Sequence, residues 1–117
     1  MICALELIEH IPNVFEFLKC CHFLLKTNGI LVISTINKTI KSYLLTIFLA
    51  EHLFKIIPKN THRFDWYQKP ENVTFLQEKI GFRDFTKAGM IYSPFEDRFY
   101  LSRNDSSVNY IMSSIKF

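Results

Sequence analysis

Two acidic residues and a histidine lie close together near the start of this 117-residue chain, in the segment Leu5-Glu6-Leu7-Ile8-Glu9-His10. Glu6, Glu9 and His10 stand at positions i, i+3 and i+4, so a turn of the backbone would bring two carboxylates and an imidazole together. Such a donor set suits Mg²⁺ or Mn²⁺ better than zinc. A divalent ion held there could bind both oxygens of a catechol and lower the phenol pKa.

The same three residues allow two other interpretations. His10 could act as a general base rather than as a ligand. The whole segment could also be a solvated strand end with a local ion pair, because E-x-x-E-H is a weak pattern by itself. The spacing alone leaves these alternatives open.

The residues around the segment predict a strand, a helix and a second strand. Met1–Leu5 is an apolar run typical of a buried strand. Asn13 and Glu16 resemble a capping box, and apolar residues then recur at helical spacing until Asn28-Gly29, which predicts a left-handed stop. The β-branched run Ile30–Thr35 predicts a buried strand. Ligands in open α/β sheets bind beyond the carboxyl ends of strands, which is where the acidic segment lies.

The second half predicts two helices and two strands. We expect a helix over Thr39–Ile57, ended by Pro58 and followed by a loop over Lys59–Lys69. Pro70 and Gly81 mark the start and the stop of the next helix. The inward-facing residues of that helix should be Val73, Leu76 and Ile80. Strands are predicted over Phe82–Ile91 and Val108–Phe117, as an antiparallel hairpin at the sheet edge, with turns at Ser93-Pro94 and Arg103-Asn104-Asp105. This order predicts an α/β fold, the back half of a doubly wound sheet.

The composition restricts the class of protein. The hydrophobic fraction of 49% and the length of 117 residues fit one small domain with a core. A net charge of +3 is too weak to indicate nucleic-acid binding, although it is compatible with an anionic membrane surface. Three cysteines without a C-x-x-C indicate neither a disulfide framework nor a zinc site.

The Thr39–Ile57 segment has more apolar surface than one core face requires. Leu44, Leu45 and Phe48 lie off the predicted inward seam, while charged residues interrupt any span of about 20 apolar residues. Two interpretations remain open, a helix in the membrane interface and a helix buried against another segment or partner.

Several blocks in order along the chain resemble the ubiquinone-biosynthesis O-methyltransferases. Glu6–Pro12 looks like that family's E-h-h-E-H-h-P segment, where h is any hydrophobic residue. The remaining blocks span most of the chain: Ser34–Thr39 with Lys41-Ser42-Tyr43, Pro58–His62, Gly89–Pro94 and Val108-Asn109-Tyr110. Together they are far more specific than a generic methyltransferase motif.

The resemblance implies a single partial domain over residues 1–117, the C-terminal part of a Rossmann-like class I methyltransferase sheet with an antiparallel terminal strand. It implies Mg²⁺ ligation by Glu6, Glu9 and His10, and a place for Leu5 beside S-adenosylmethionine. The implied reaction is methyl transfer to a phenolic oxygen of a polyprenylated hydroxybenzene or catechol. The implied location is the cytoplasmic face of a bacterial membrane or, in a eukaryote, the mitochondrial matrix side.

The chain also departs from that family. Asn60 stands where the family has Gly, Ser93 replaces Asn, and Ser107 replaces Asp. The sequence contains three glycines and no G-x-G-x-G, so the glycine-rich cofactor loop of the family is not among these residues. We therefore expect weak activity or none from this chain alone, unless a second polypeptide carries the N-terminal half. The alternative is a catalytically inactive fragment that acts as a membrane-surface or scaffold module.

Overall fold

The computed structural model describes residues 1–44, 64–93 and 95–117, and five strands within them form one mixed sheet. The strands are β1 (Ile2–Leu5), β2 (Ile30–Ile36), β3 (Phe82–Ser93), β4 (Arg98–Ser102) and β5 (Asn109–Lys116). Their order across the sheet is β1-β2-β5-β3-β4. Only β1 and β2 run parallel among these pairs, and β5 is antiparallel to both of its neighbours. The predicted parallel start and antiparallel terminal strand are confirmed.

Two helices occupy the positions that the sequence predicts. In α1 (Val14–Leu24) the Asn13 side chain accepts a hydrogen bond from the Glu16 backbone N–H at 3.2 Å, so the predicted cap is present. Helix α2 (Pro70–Ile80) begins at a proline and ends at Gly81, whose φ of 112° is left-handed. The left-handed residue after α1 is Asn28, which lies in the turn before β2.

Both helices pack on the same face of the sheet. Their inward side chains and the alternate residues of β2 and β5 form one apolar cluster. Its fully buried members include Leu18, Leu31, Ile33, Val73, Phe82 and Tyr110. Val73 is buried as predicted, while Leu76 and Ile80 pack against the cluster in part. Burial of each such side chain contributes about 1.5–3 kcal/mol to folding.

The end of the chain differs from the prediction of an edge hairpin. β5 lies inside the sheet between β2 and β3, and the edge is formed by β4, which the sequence analysis did not predict. β4 lacks the alternation of apolar and polar residues that is typical of a half-buried strand, since Phe99, Tyr100 and Leu101 are consecutive. Neither face of β4 is buried, since its first four residues are all exposed, so no period-2 pattern is required there.

The predicted helix over Thr39–Ile57 is described only at its start. Residues 40–44 are helical, and Thr39 and Ser42 cap that turn reciprocally, with side-chain to backbone distances of 3.0 and 3.2 Å. The rest of the predicted helix, Pro58 and the Pro58–His62 block lie outside the described residues. At the end of the predicted loop, Phe64–Trp66 form a turn of 3-10 helix. In the described ranges, no helix is long and apolar enough to cross a bilayer.

A loop over residues 103–107 packs directly on Gly89 of β3. A Cβ at Gly89 would overlap the carbonyl group of Asp105. The loop is tied to the start of the 40–44 helix, because Asn37 Nδ2 donates to the Ser106 carbonyl at 2.8 Å and Thr39 Oγ1 donates to that of Ser107. The absence of a side chain at Gly89 therefore allows this loop to contact both β3 and the start of the 40–44 helix.

Substituting Gly89→Ala is expected to lower the free energy of unfolding by about 1–3 kcal/mol, because the added methyl displaces a hydrogen-bonded backbone. Urea unfolding followed by circular dichroism measures this change. Lys87→Ala on the same strand is the control, with an expected effect of about 0.5 kcal/mol or less since Lys87 is exposed. Equal unfolding midpoints for both variants would contradict the packing described here.

Candidate functional site

The candidate site lies at the carboxyl end of the parallel strand pair. Leu5, the last residue of β1, is in register with Ser34 of β2. Ile36, the last residue of β2, pairs with Asn109, the first residue of the antiparallel strand β5. The ends of β1 and β2 and the start of β5 therefore meet at one edge of the sheet. Glu6 lies at this edge, because it directly follows the last residue of β1. This is the position at which open α/β sheets bind ligands.

Glu6 is held in place by hydrogen bonds to β2 and β5. Its backbone N–H lies 2.9 Å from the Ser34 carbonyl and 3.1 Å from Ser34 Oγ. Its carboxylate accepts a hydrogen bond from Ser34 Oγ at 2.8 Å and a longer one from Asn109 Nδ2 at 3.4 Å. The φ of Glu6 is 48°, a left-handed conformation that a non-glycine residue adopts rarely. Ser34 therefore fixes both the backbone and the carboxylate of Glu6.

Glu9 is a buried carboxylate. It lies on a turn of 3-10 helix, Ile8–His10, and is only 2% exposed. Its Oε2 accepts a hydrogen bond of 2.6 Å from the hydroxyl of Thr35, which is itself fully buried. A short bond of this kind to a carboxylate is stronger than one between neutral groups, and it offsets part of the cost of burial.

The two carboxyl groups interact with each other. Burial raises the pKa of Glu6, the nearby charge of Glu9 and a hydrogen bond to the Glu9 carboxyl raise it further, and the hydrogen bonds from Ser34 and Asn109 oppose these effects. Two carboxylates this close are destabilised when both are ionised. A proton or a cation relieves that repulsion, so the pair is suited to hold one or the other.

Leu5 and His10 lie beside this pair rather than within it. Leu5 is 56% exposed at the end of β1, so it is accessible to a ligand at this edge. His10 is also exposed, and its backbone N–H donates to the Leu7 carbonyl at 3.0 Å. Within residues 1–44, 64–93 and 95–117, no three His, Cys, Asp or Glu side chains are grouped so as to hold a metal ion. The structure thus brings together Glu6 and Glu9 but does not complete a three-ligand set with His10.

Three polar residues of the site were not predicted to contact the carboxylates. Ser34, Thr35 and Asn109 belong to the blocks that carry the family resemblance, where they were not assigned a role. The sequence does contain a signal for the first two. Two hydroxyl residues interrupt the otherwise apolar Ile30–Ile36 run near its carboxyl end, where ligands bind in such sheets.

Comparison with curated proteins places the chain beside ubiquinone biosynthesis O-methyltransferases. It is 37% identical over 112 residues to the protein of that name from Dinoroseobacter shibae, covering 96% of this chain and 45% of the relative. The Coxiella burnetii protein is 40% identical over 111 residues, which is 95% of this chain and 47% of the relative. The Rattus norvegicus protein, named as mitochondrial, is 37% identical over 113 residues, which is 97% of this chain and 32% of the relative.

These matches confirm the predicted resemblance and are consistent with a C-terminal portion. The chain spans about a third to a half of the length of these curated relatives. No family model matches the chain.

Solved structures confirm the fold. An S-adenosylmethionine-dependent methyltransferase from Thermotoga maritima, described as a possible histamine N-methyltransferase, superposes with a TM-score of 0.71 over 98% of this chain and 55% of that one, at 15% identity. A possible exported protein from Bordetella parapertussis gives a TM-score of 0.60 over 97% of this chain and 37% of that one, at 14% identity. The described sheet and helices are therefore a portion of a Rossmann-like methyltransferase fold.

Two substitutions should move the pKa of Glu6 in opposite directions. Glu9→Gln removes the neighbouring charge and should lower this pKa, whereas Ser34→Ala removes a hydrogen bond to the ionised form and should raise it. Titration of the Glu6 side-chain carbonyl by carbon NMR measures both. Glu16→Gln, an exposed change on α1, is the control and should leave the Glu6 pKa unchanged. A shift of the same sign in the first two variants would contradict the arrangement.

Folding raises the pKa of Glu6, so the folded chain holds this proton more tightly than the unfolded chain. The contribution of Glu6 to the free energy of unfolding should therefore decrease as pH rises from about the ordinary value of 4.5 through the raised value. Glu6→Gln should remove that decrease. Urea unfolding of both proteins across this pH range measures it, and identical pH profiles would be the contrary result.

Proposed function

We propose that this chain supplies the metal-binding and substrate-binding side of an S-adenosylmethionine-dependent O-methyltransferase that acts on a polyprenylated hydroxybenzene or catechol in ubiquinone biosynthesis. The observation that carries the proposal is the agreement of two findings. The chain matches enzymes of that name along 95–97% of its length, and the conspicuous acidic residues of the matched region converge at one edge of the sheet.

The chemistry of the donors supports Mg²⁺ at Glu6 and Glu9. Mg²⁺ is usually held by one or two carboxylates together with water and substrate oxygens, so a third protein ligand is not required. When bound, such an ion would supply positive charge that favours the ionised form of a phenol. Glu6 and Glu9 are the residues that would hold it. Their mutual repulsion would be relieved by the ion, and Ser34 and Thr35 orient them.

His10 is proposed for one of two roles at the same edge. As a third ligand it would complete the predicted metal set, and as a general base it would take the phenolic proton. Both roles are compatible with its exposed position next to Glu9. A catechol oxygen must be deprotonated and aligned with the methyl donor, so orientation by this edge contributes together with deprotonation.

The glycine-rich loop that the family resemblance associates with S-adenosylmethionine is not among these 117 residues. Leu5 is accessible at the end of β1, but the 117 residues contain no glycine-rich loop that could approach the cofactor. We propose that a second polypeptide carrying such a loop completes the pocket beside β1.

Grafting this chain onto a relative tests the proposed function. In a chimera, the chain replaces the matching 112-residue region of the Dinoroseobacter shibae protein. The chimera is expected to methylate a polyprenylated catechol in the presence of Mg²⁺, as measured by transfer of a labelled methyl group from S-adenosylmethionine. Glu9→Gln should reduce the rate about 100-fold by disturbing the metal site, whereas Glu16→Gln should not.

Calorimetry of the 117-residue chain alone should show no micromolar binding of S-adenosylmethionine.

A folded but inactive chimera beside an active parent would argue against the enzyme proposal and for a non-catalytic module.

We also propose that the helix beginning at residue 40 contacts a membrane surface. In its described first turn Ile40 is 78% exposed and Leu44 is 60% exposed, so apolar side chains face outward next to the candidate site. The Thr39 hydroxyl donates to the Ser107 carbonyl, which ties the start of that turn to the loop before β5. Contact with the bilayer at this place would bring a polyprenyl chain close to Glu6 and Glu9.

Flotation with neutral phosphatidylcholine vesicles tests this contact. The double variant Ile40→Ser/Leu44→Ser should bind at least about tenfold more weakly than the parent, because two apolar side chains no longer enter the interface. Leu101→Ser on β4 removes a comparably exposed leucine outside the helix and should not change binding. Absence of vesicle binding by the folded parent chain would refute the membrane contact.

A further inference from the structure

Strand β4 (Arg98–Ser102) lies at the side of the sheet opposite to β1 and the candidate site. It pairs with β3 along one side, and within the described residues no strand pairs along its other side. The outward-pointing N–H and C=O groups of an edge strand can form hydrogen bonds with a strand of another chain. β4 is therefore a surface to which a partner can add a strand.

The side chains of β4 are largely apolar and exposed. Phe99 is 62% exposed and Leu101 is 70% exposed, and both point to one face of the strand because they are two residues apart. Tyr100, on the other face, is also exposed. Soluble proteins commonly protect such an edge with lysine, proline or an inward-pointing charge, whereas the only charged residue of β4 is Arg98, at its start. This composition favours a partner strand that also carries apolar side chains.

A second copy of β4 is such a strand. Two copies that pair antiparallel are related by a twofold axis, and residues opposite each other point to the same face of the sheet. A residue at the centre of the pairing therefore lies opposite its own counterpart. With Tyr100 at the centre, Phe99 of each copy lies opposite Leu101 of the other, so the exposed apolar residues cover one another.

The charged residues that flank β4 complement each other in the same register. Asp97 directly precedes the strand, Arg103 directly follows it, and both are exposed. With Tyr100 at the centre, Asp97 of each copy lies opposite Arg103 of the other. An apolar centre is then bounded at each end by a pair of opposite charges.

The neighbouring registers lack this charge match. With Leu101 at the centre, Asp97 lies opposite Asp105, and like charges placed directly opposite each other are destabilising. With Phe99 at the centre, the carboxylate of Asp97 lies opposite the apolar side chain of Leu101. The charges therefore favour the register that is centred on Tyr100.

We propose that the chain forms a twofold-symmetric homodimer through antiparallel pairing of β4 with β4 of a second copy, centred on Tyr100. The two described sheets join into one continuous sheet in this dimer. Each copy covers the β4 edge of the other, so the association stops at two copies. The proposal is independent of the O-methyltransferase function, because Glu6 and Glu9 follow β1 at the opposite side of the sheet.

The dimer is expected to be weak, because one pair of five-residue strands forms a small interface. Interfaces that bury less than about 1,200 Å² belong to weak and transient complexes, and we expect a dissociation constant on the order of 10–100 µM. Sedimentation velocity of the 117-residue chain, at concentrations on both sides of this range, should show a change from monomer to dimer and no larger species. Vesicle flotation with Leu101→Ser belongs below this range, where parent and variant are both monomeric.

Exchanging the flanking charges tests the register. Asp97→Lys should weaken dimerisation about tenfold, because like charges replace the ion pairs at both ends of the interface. Asp97→Lys/Arg103→Glu restores opposite charges and should return the dissociation constant to near that of the parent. Asp84→Lys on β3 is the matched control, because Asp84 is also an exposed aspartate with a left-handed backbone. This control should dimerise as the parent does.

A lysine within β4 tests the apolar contact. Leu101→Lys should weaken dimerisation at least about tenfold, because a charged side chain on an edge strand opposes pairing with another strand. Leu24→Lys at the end of α1 replaces a comparably exposed leucine outside β4 and should leave the dissociation constant unchanged. Circular dichroism of each variant shows whether it is folded, and Leu101→Lys provides the test if Asp97→Lys does not fold.

Three results would overturn the proposed dimer. The first is a folded parent chain that stays monomeric at concentrations well above the expected dissociation constant, which would leave this edge to a different partner. The second is a dimer that Leu101→Lys and Leu24→Lys weaken equally, or that the exchange of charges does not restore. The third is association that continues beyond two copies, since the pairing of β4 with itself is closed.

Discussion

The buried carboxylate of Glu9 is the constraint on which the candidate site depends. A carboxylate removed from water is costly unless its oxygens accept hydrogen bonds, and the 2.6 Å bond from Thr35 meets part of that requirement. Thr35 can make the bond only because β2 reaches the same edge as the 3-10 turn that carries Glu9. The parallel register of β1 and β2 in turn places Ser34 beneath Glu6. The site is thus a product of strand pairing.

The sequence was sufficient to predict those features that local physical chemistry determines. The Asn13 cap, the Pro70 start and the Gly81 stop each depend on residues within one or two turns, and all three occur as predicted. The place of β5 inside the sheet could not be predicted in this way. It depends on pairing between Ile36 and Asn109, which are 73 positions apart by their numbers. Strand order depends on contacts between distant parts of the chain, whereas a periodic pattern of apolar residues indicates only which face of a strand is buried.

The candidate site could likewise be predicted only where local spacing determines it. Spacing indicated that Glu6 and Glu9 could converge, and the structure brings them together. The same spacing suggested that His10 would join them, but spacing does not specify the turn. A 3-10 segment over Ile8–His10 carries Glu9 inward and leaves His10 exposed. The contacts with Ser34, Thr35 and Asn109 came from a second and a third strand, so no local pattern around the acidic segment could reveal them.

Several unfavourable features coincide at Glu6 and Glu9. Glu6 adopts a left-handed backbone that costs about 1–3 kcal/mol, its pKa is raised, and Glu9 is buried beside it. A sequence selected for stability alone would place glycine or asparagine at the turn and an apolar residue at position 9. Strain and repulsion retained at one point are typical of sites where a ligand is recognised.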